Sequence, residues 1–324
     1  MEHAKQYTLM TTLYHFFNDQ TDIDHPITIP DLIAELETKE VFTDRRTIYK
    51  CIESLSEAGV RIQHVRVGKK HAYYLKHSFS LSEALVLIEH ISSSPAFSSS
   101  ETKLLTKKIG SSLSTYQRNL IPECYVSSSK TDNDQFLNNI QIILPAISSC
   151  TAIEFQYYDL TIKRKRRYRK DNKIYHLTPY AIVSDNGKYY CVFYDHKHES
   201  FSNYRLDKMD HVQVTDDKDT PVQFSLEDHM RTSMNMYHGK GATITLKCNL
   251  SLENRILEEF GDNHIILNDM DEESFTVSVK TSITPTLKSW LVLYYDQIEI
   301  IKPDSLKEDM KEIGSHLLKL YGGK

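Results

Sequence analysis

Leu177-Thr178-Pro179-Tyr180-Ala181-Ile182-Val183, Asn186-Gly187-Lys188-Tyr189-Tyr190-Cys191 and Asn203-Tyr204-Arg205-Leu206-Asp207-Lys208-Met209 are three pieces of one pattern. Each is a short apolar and aromatic run, and Asn186-Gly187 is a turn pair between two of them. Ile153-Phe155-Tyr157 upstream keeps the same period of two. Such strands, separated by turns, predict a small antiparallel barrel over residues 151–216.

Beyond an acidic loop (Asp216, Asp217, Asp219), the periods alternate: strand 243–248, helix 252–260, strands 265–267 and 274–281, helix 285–294, strand 297–301, helix 303–321. Residues 217–324 therefore read as a separate α+β unit. Upstream, Ser80-Leu81-Ser82-Glu83 is a capping box in front of Ala84-Leu85-Val86-Leu87-Ile88. A Ser/Pro loop over 92–100 follows, then a helix over 101–121 stopped by Pro122. Residues 127–134 are polar and linker-like, and a last helix begins at Phe136, which Pro145 should kink or end. Residues 77–150 are thus expected to be a helical linker.

The first 76 residues predict three helices and a hairpin. Leu9, Leu13, Phe16 and Phe17 form one apolar stripe over 5–18. Thr28, Pro30 and Asp31 open a second helix, and Thr43 or Asp44 caps a third that Gly59 ends. Ile48, Cys51, Ile52, Leu55 and Ala58 face inward on that third helix, leaving Arg45, Arg46, Thr47, Tyr49, Lys50 and Glu53 on its outer side or first turn. The hairpin turns at Gly68-Lys69 and puts Lys69 and Lys70 at its tip. Such a basic helix suits the major groove, where Arg or Lys pairs with guanine edges, while the tip cations suit phosphates.

Phe42-Thr43-Asp44-Arg45-Arg46-Thr47-Ile48-Tyr49-Lys50, ending in Leu55-Ser56-Glu57-Ala58-Gly59-Val60, resembles a DeoR-type winged helix. The three barrel pieces resemble the WYL domain, with Tyr189-Tyr190-Cys191 standing where the family has Trp-Tyr-Leu and Lys208 where it has a second Arg. Lys lacks the bidentate fork that Arg offers a phosphate. Leu291-Val292-Leu293-Tyr294-Tyr295 and Ile301-Lys302-Pro303 resemble the extension that often follows such a domain. Together these resemblances imply an α+β multidomain regulator: winged helix 1–76, helical linker 77–150, Sm-like or SH3-like WYL barrel 151–216, and C-terminal α+β extension 217–324. They further imply a basic and aromatic pocket for a nucleotide or short nucleic acid, carried by position onto Tyr190, Arg205 and Lys208, with His176, Tyr180 and Tyr194 nominated by nearness.

Charge agrees with a polyanion partner. The chain carries -5 overall, yet residues 45–76 hold eight Lys/Arg against Glu53 and Glu57, a balance of +6. Lys163, Arg164, Lys165, Arg166, Arg167, Arg169, Lys170 and Lys173, against Asp171, give +7 in eleven residues. That run reads as a polyanion track or, more plainly, as a solvated loop.

Other classes find little support. No GxSxG, GxxxxGK[ST] or HExxH is present, so no catalytic residue is nominated, and neither cofactor nor metal is expected. His196-Lys197-His198-Glu199 reads as a surface loop. No apolar run reaches membrane-spanning length, and the five cysteines lack CxxC spacing, which points to a reducing cytoplasm. The expected protein is a homodimeric transcription regulator that binds an operator duplex. Its main rival is an accessory protein that binds single-stranded nucleic acid and modulates a partner enzyme, such as one of a defence system; an enzyme acting on nucleotides is a weaker rival.

Overall fold

Side-chain caps decide where the helices of the first half begin. The computed structural model describes residues 2–122, 130–231, 233–234, 237–238, 241–261 and 265–322. Cys124 and the start of the 127–134 linker lie outside them. The chain divides into two units, Met1–Asp134 and Gln135–Lys324.

In the first unit α1 (Glu2–Gln20) is followed by β1 (Ile27–Thr28), α2 (Ile29–Thr38), α3 (Arg45–Glu57) and a hairpin of β2 (Ile62–Val67) and β3 (Lys70–Leu75). Thr28 caps α2 by accepting from the Asp31 amide, and Asp44 caps α3. The sheet order is β1-β3-β2. Val67 pairs with Lys70, so Gly68-Lys69 is a two-residue turn, and Gly68 takes φ 62°, a left-handed backbone that glycine adopts without strain. Leu13, Phe16 and Phe17 of α1, Leu32 and Leu36 of α2, and Ile48, Cys51, Ile52 and Leu55 of α3 make one core, sealed by Leu75 of β3.

Three more helices complete this unit: α4 (Leu81–Ser93), α5 (Ser99–Gly110) and α6 (Thr115–Leu120). Each starts at a reciprocal capping box, Ser80 with Glu83, Ser98 with Glu101, and Ser114 with Gln117. The single helix expected over 101–121 is therefore two, because Leu113 turns fully inward after Gly110 and Ser114 caps afresh. Ser114 also donates to the buried Asp22, whose carboxylate accepts from the His25 amide at 2.9 Å and has His25 Nδ1 at 2.8 Å. The His25 ring stacks on Tyr116 of α6 at 3.9 Å. Ile88 is buried in this unit, whereas Val86 and Leu87 stay exposed.

The second unit opens with α7 (Phe136–Ser149), which Pro145 neither ends nor interrupts. Pro145 and Gln141, whose carbonyl loses its helical partner, both face solvent, while Ile143 and Ala146 are buried. Then come β4 (Thr151–Leu160), β5 (Arg166–Tyr168), β6 (Ile174–Asp185), β7 (Lys188–Asp195), β8 (Ser200–Arg205), a 3-10 turn (Leu206–Lys208) and β9 (Met209–Lys218). The antiparallel order is β5-β4-β6-β7-β8, and β9 returns to pair with β4. Phe155 anchors the interior, 5.2–5.3 Å from the rings of Tyr175, Phe193 and Tyr204. α7 packs on this sheet, and its Asn139 amide donates to the carbonyls of Leu206 and Met209 at 3.2 and 3.1 Å.

After α8 (Leu226–Arg231) and two short paired strands, β10 (Ser233–Met234) and β11 (Tyr237–His238), the chain forms a second sheet. Its elements are β12 (Gly241–Asn249), α9 (Glu253–Phe260), β13 (Ile265–Met270), β14 (Ser274–Ser282), α10 (Pro285–Leu293), β15 (Ile298–Lys302) and α11 (Asp304–Tyr321). The order β13-β14-β12-β15 is that of two interleaved βαβ halves. Ile244, Leu246, Ile256, Val277, Leu287 and Leu306 are among its buried residues. Among the described residues no helix is long and apolar enough to cross a membrane.

Candidate nucleic-acid interfaces and sensor site

Asp44 builds the first turn of α3. Its carboxylate accepts from the amides of Arg46 and Thr47 at 2.8 and 3.0 Å, and these bonds hold it below the usual carboxylate range. Thr47, a nominated contact, is spent on this cap, donating its hydroxyl to Asp44 at 2.8 Å. Arg45 leans along the helix and donates to the Tyr49 hydroxyl at 3.1 Å. Arg46 and Lys50 remain exposed on α3, and Lys69 and Lys70 remain exposed at the hairpin tip. None of these four cations forms an ion pair with a carboxylate among the described residues, although Arg46 lies within reach of the Asp44 charge that caps its helix. Such charges are free to meet a polyanion at no cost in broken ion pairs.

The sensor nominations separate into three places. Tyr190 and Arg205 are direct register partners on β7 and β8, so they share a face. Arg205 grips Asp207 through one guanidinium edge, Nε to Oδ1 at 3.0 Å and Nη2 to Oδ2 at 2.7 Å. Its own amide donates to the buried Tyr157 hydroxyl at 3.3 Å, and burial pushes that hydroxyl well up from the ordinary tyrosine value. Lys208 turns the other way, Nζ lying 3.3 Å from Asp159 on β4. Arg169 holds the same carboxylate at 2.7 and 3.0 Å and lies over the Tyr157 ring at 4.8 Å. The bonds from Arg169 lead in keeping Asp159 below the usual range. Asp159 thus serves two cations, and Arg169 and Lys208 beside Tyr157, next to the Arg205–Asp207 pair, keep a positive charge that an anion can neutralise.

The weaker nominations lie elsewhere. Tyr180 and Tyr194 pack with Phe201, and the chain's own Phe224 sits 5.5 Å from Tyr180 and 4.7 Å from Phe201. The Tyr180 hydroxyl accepts from the Val222 amide at 2.8 Å. His176 sits between Glu154 at 3.3 Å and Asp217 at 3.4 Å, in no contact with Arg205 or Lys208. His196 pairs with Asp219 in its loop. Among the described residues no group of three His, Cys, Asp or Glu side chains could hold a metal.

The basic run divides in the same way. Arg166 is bonded to Asp210 at 2.7 Å and lies over the Tyr158 ring at 4.7 Å, and Arg169 belongs to the Asp159 cluster. Lys163, Arg164, Lys165, Arg167 and Lys170 are exposed and have no carboxylate partner among the described residues. The carboxylates Asp159, Asp207 and Asp210 are the site members that sequence reasoning missed. Asp207, two residues after Arg205, was the one with a visible signal.

The family model of the WYL domain matches residues 138–214, from α7 into β9, and that of the WCX domain matches residues 241–318, from β12 into α11. No curated protein matches the chain. Among solved structures the chain is similar to proteasome accessory factor B/C (PafBC) of Arthrobacter aurescens, at 13% identity and a TM-score of 0.31, over 98% of this chain and 49% of that one. It is also similar to a CRISPR Cas-related protein, at 13% identity and a TM-score of 0.39, over 90% of this chain and 77% of that one. The chain therefore spans about half the length of the accessory-factor chain.

Proposed function

We propose that this protein is a DNA-binding transcription regulator whose WYL domain senses an anionic ligand, a nucleotide or a short nucleic acid. The observation that carries it is the set of unpaired cations Arg46, Lys50, Lys69 and Lys70, placed on a capped helix and the adjoining hairpin tip of the first unit. In this reading α3 of a winged helix enters the major groove and the hairpin tip meets the backbone. The anion is received at the Tyr157, Arg169, Lys208 and Arg205 cluster, beside Tyr190. A homodimer supplies the second half-site, since one helix per chain reads only a few base pairs. An effector changes DNA affinity only through unequal binding to two conformations.

The test is a footprint on the DNA upstream of the protein's own gene, with a scrambled duplex as control. Protection of a discrete site supports the proposal; equal affinity for both duplexes overturns it. The exposed cations of the loop over 163–170 favour a second reading, an accessory protein that binds single-stranded nucleic acid and acts on a partner enzyme. That reading expects tight single-strand binding and no footprint.

A further inference from the structure

The hairpin carries more than its tip. In the antiparallel register His64 faces Tyr73 and Arg66 faces His71, so these four side chains share one face of β2 and β3. Their rings are in contact: His64 lies 5.1 Å from His71 and 5.7 Å from Tyr73. Tyr73 continues to Tyr49 of α3 at 6.2 Å, and Tyr49 holds Arg45. The face is thus continuous with the outer side of α3. His64, Arg66 and His71 are all exposed, and Tyr73 is half-buried where the hairpin meets the helix.

Within the hairpin the two histidines face each other, Arg66 and Tyr73, and beyond Tyr73 the face continues to Tyr49 and Arg45 on α3. Lys69 sits in the turn itself, and Lys70, the register partner of Val67, points to the opposite face of the hairpin. Arg66 spends its Nε on the Gly68 carbonyl at 3.2 Å, leaving the rest of its guanidinium outward. Glu53 and Glu57, one and two helical turns beyond Tyr49, are the exposed acidic side chains of α3, and neither bonds to any of these groups among the described residues. A surface so built, with aromatic and hydroxyl groups at its base, cations on its rim and imidazoles between, matches a phosphate backbone. Imidazole is also the side chain whose charge changes between about pH 5 and 8.

We propose that the inner face of the hairpin, through His64, His71 and Arg66, is a DNA-backbone contact additional to the tip, and that it makes duplex affinity proton-linked. This rests on the reading of the first unit as DNA-binding. Each histidine that gains a proton adds one cation against a phosphate and releases one further counterion, so binding strengthens as pH falls. Tyr73 and Tyr49 act as positioning residues that set the hairpin against α3.

The experiment uses the full chain and a fluorescent mixed-sequence duplex of about three helical turns, titrated at constant ionic strength near pH 6 and near pH 8. The unmodified protein should bind roughly 3- to 10-fold tighter at the lower pH, with a steeper salt dependence there. The double variant His64→Asn, His71→Asn should lose most of that ratio while melting normally, because both side chains are exposed. If the unmodified protein binds the duplex and the double variant keeps the full ratio, the proposal is overturned and the DNA-binding reading stands. If the unmodified protein binds no duplex at either pH, the DNA-binding reading fails and the proposal with it. A variant lacking only one histidine should retain an intermediate ratio; no change in either single variant counts against the proposal.

Discussion

Arg205 closes a two-pronged ion pair on Asp207, whose side chain is 5% exposed, across the turn that joins β8 to β9. Removing the arginine takes both guanidinium bonds from a buried carboxylate. Arg205→Ala should therefore cost about 3 kcal/mol of stability, which for a domain of this size lowers the melting temperature by roughly 6–12 °C. Calorimetry checks this. An unchanged melting temperature would return Arg205 to a purely ligand-directed role.

Asp22 is the corresponding carboxylate of the first unit. Burial pushes its pKa up, but the bonds from Ser114 and His25 and the charge of His25 outweigh this and hold it below 3.8. A depressed folded value means that the stabilisation is fully present above 3.8 and is lost as pH falls through the lower folded value. Asp22→Asn should destabilise by about 1–3 kcal/mol near neutrality. The gap between variant and parent, followed by thermal melts from neutral pH into acid, should narrow once the parent's Asp22 is protonated. A gap that widens in acid would contradict the assignment.

On DNA, Arg46→Ala should weaken binding to the footprinted site by roughly 5- to 150-fold, about 1–3 kcal/mol, and do so less on a scrambled duplex. Lys69→Ala should weaken both duplexes alike and reduce the salt slope by about one. Titrations at several salt concentrations distinguish base reading from backbone contact.

The basic loop allows a contrast within one run of sequence. Replacing Lys163, Arg164, Lys165 and Arg167 by alanine breaks no ion pair, so the melting temperature should hold while salt-sensitive oligonucleotide binding falls. Arg169→Ala instead removes two bonds from Asp159, leaving that carboxylate to Lys208, and should lower stability as well. Equal loss of binding and of stability in both variants would remove the distinction.

Light scattering at micromolar concentration should give twice the 37.7 kDa monomer mass. The monomer mass alone would remove the paired half-site from the proposed mode of binding.

Legibility followed the range of the interaction. The α3 cap, the Gly68-Lys69 turn and the Ser80–Glu83 box are decided within four residues, and each was readable in the sequence. The break after Gly110 was equally local, written in Ser114 and Gln117, but an apolar pattern running to Ile121 hid it. Pro145 misled because its cost depends on whether residue 141 faces water, which only packing determines. In the candidate sensor site, Arg205 and Tyr190 could be placed as neighbours from strand order. The meeting of Arg169 and Lys208 on Asp159 could not, since it needs the register of three strands and a turn. Tyr180 and Tyr194 were nominated by nearness, and nothing local announced that Tyr180 would pack on Phe224 and both tyrosines on Phe201.

Asn139 clasps the carbonyls on either side of the turn that carries Asp207 and Lys208, using both hydrogens of one amide. Helix and turn are thereby geared together: displacing one by even half an ångström stretches both bonds unless the other follows. α7 is the first element after the boundary at Asp134. Whatever reshapes the turn must therefore carry α7 with it or break the two bonds that Asn139 makes.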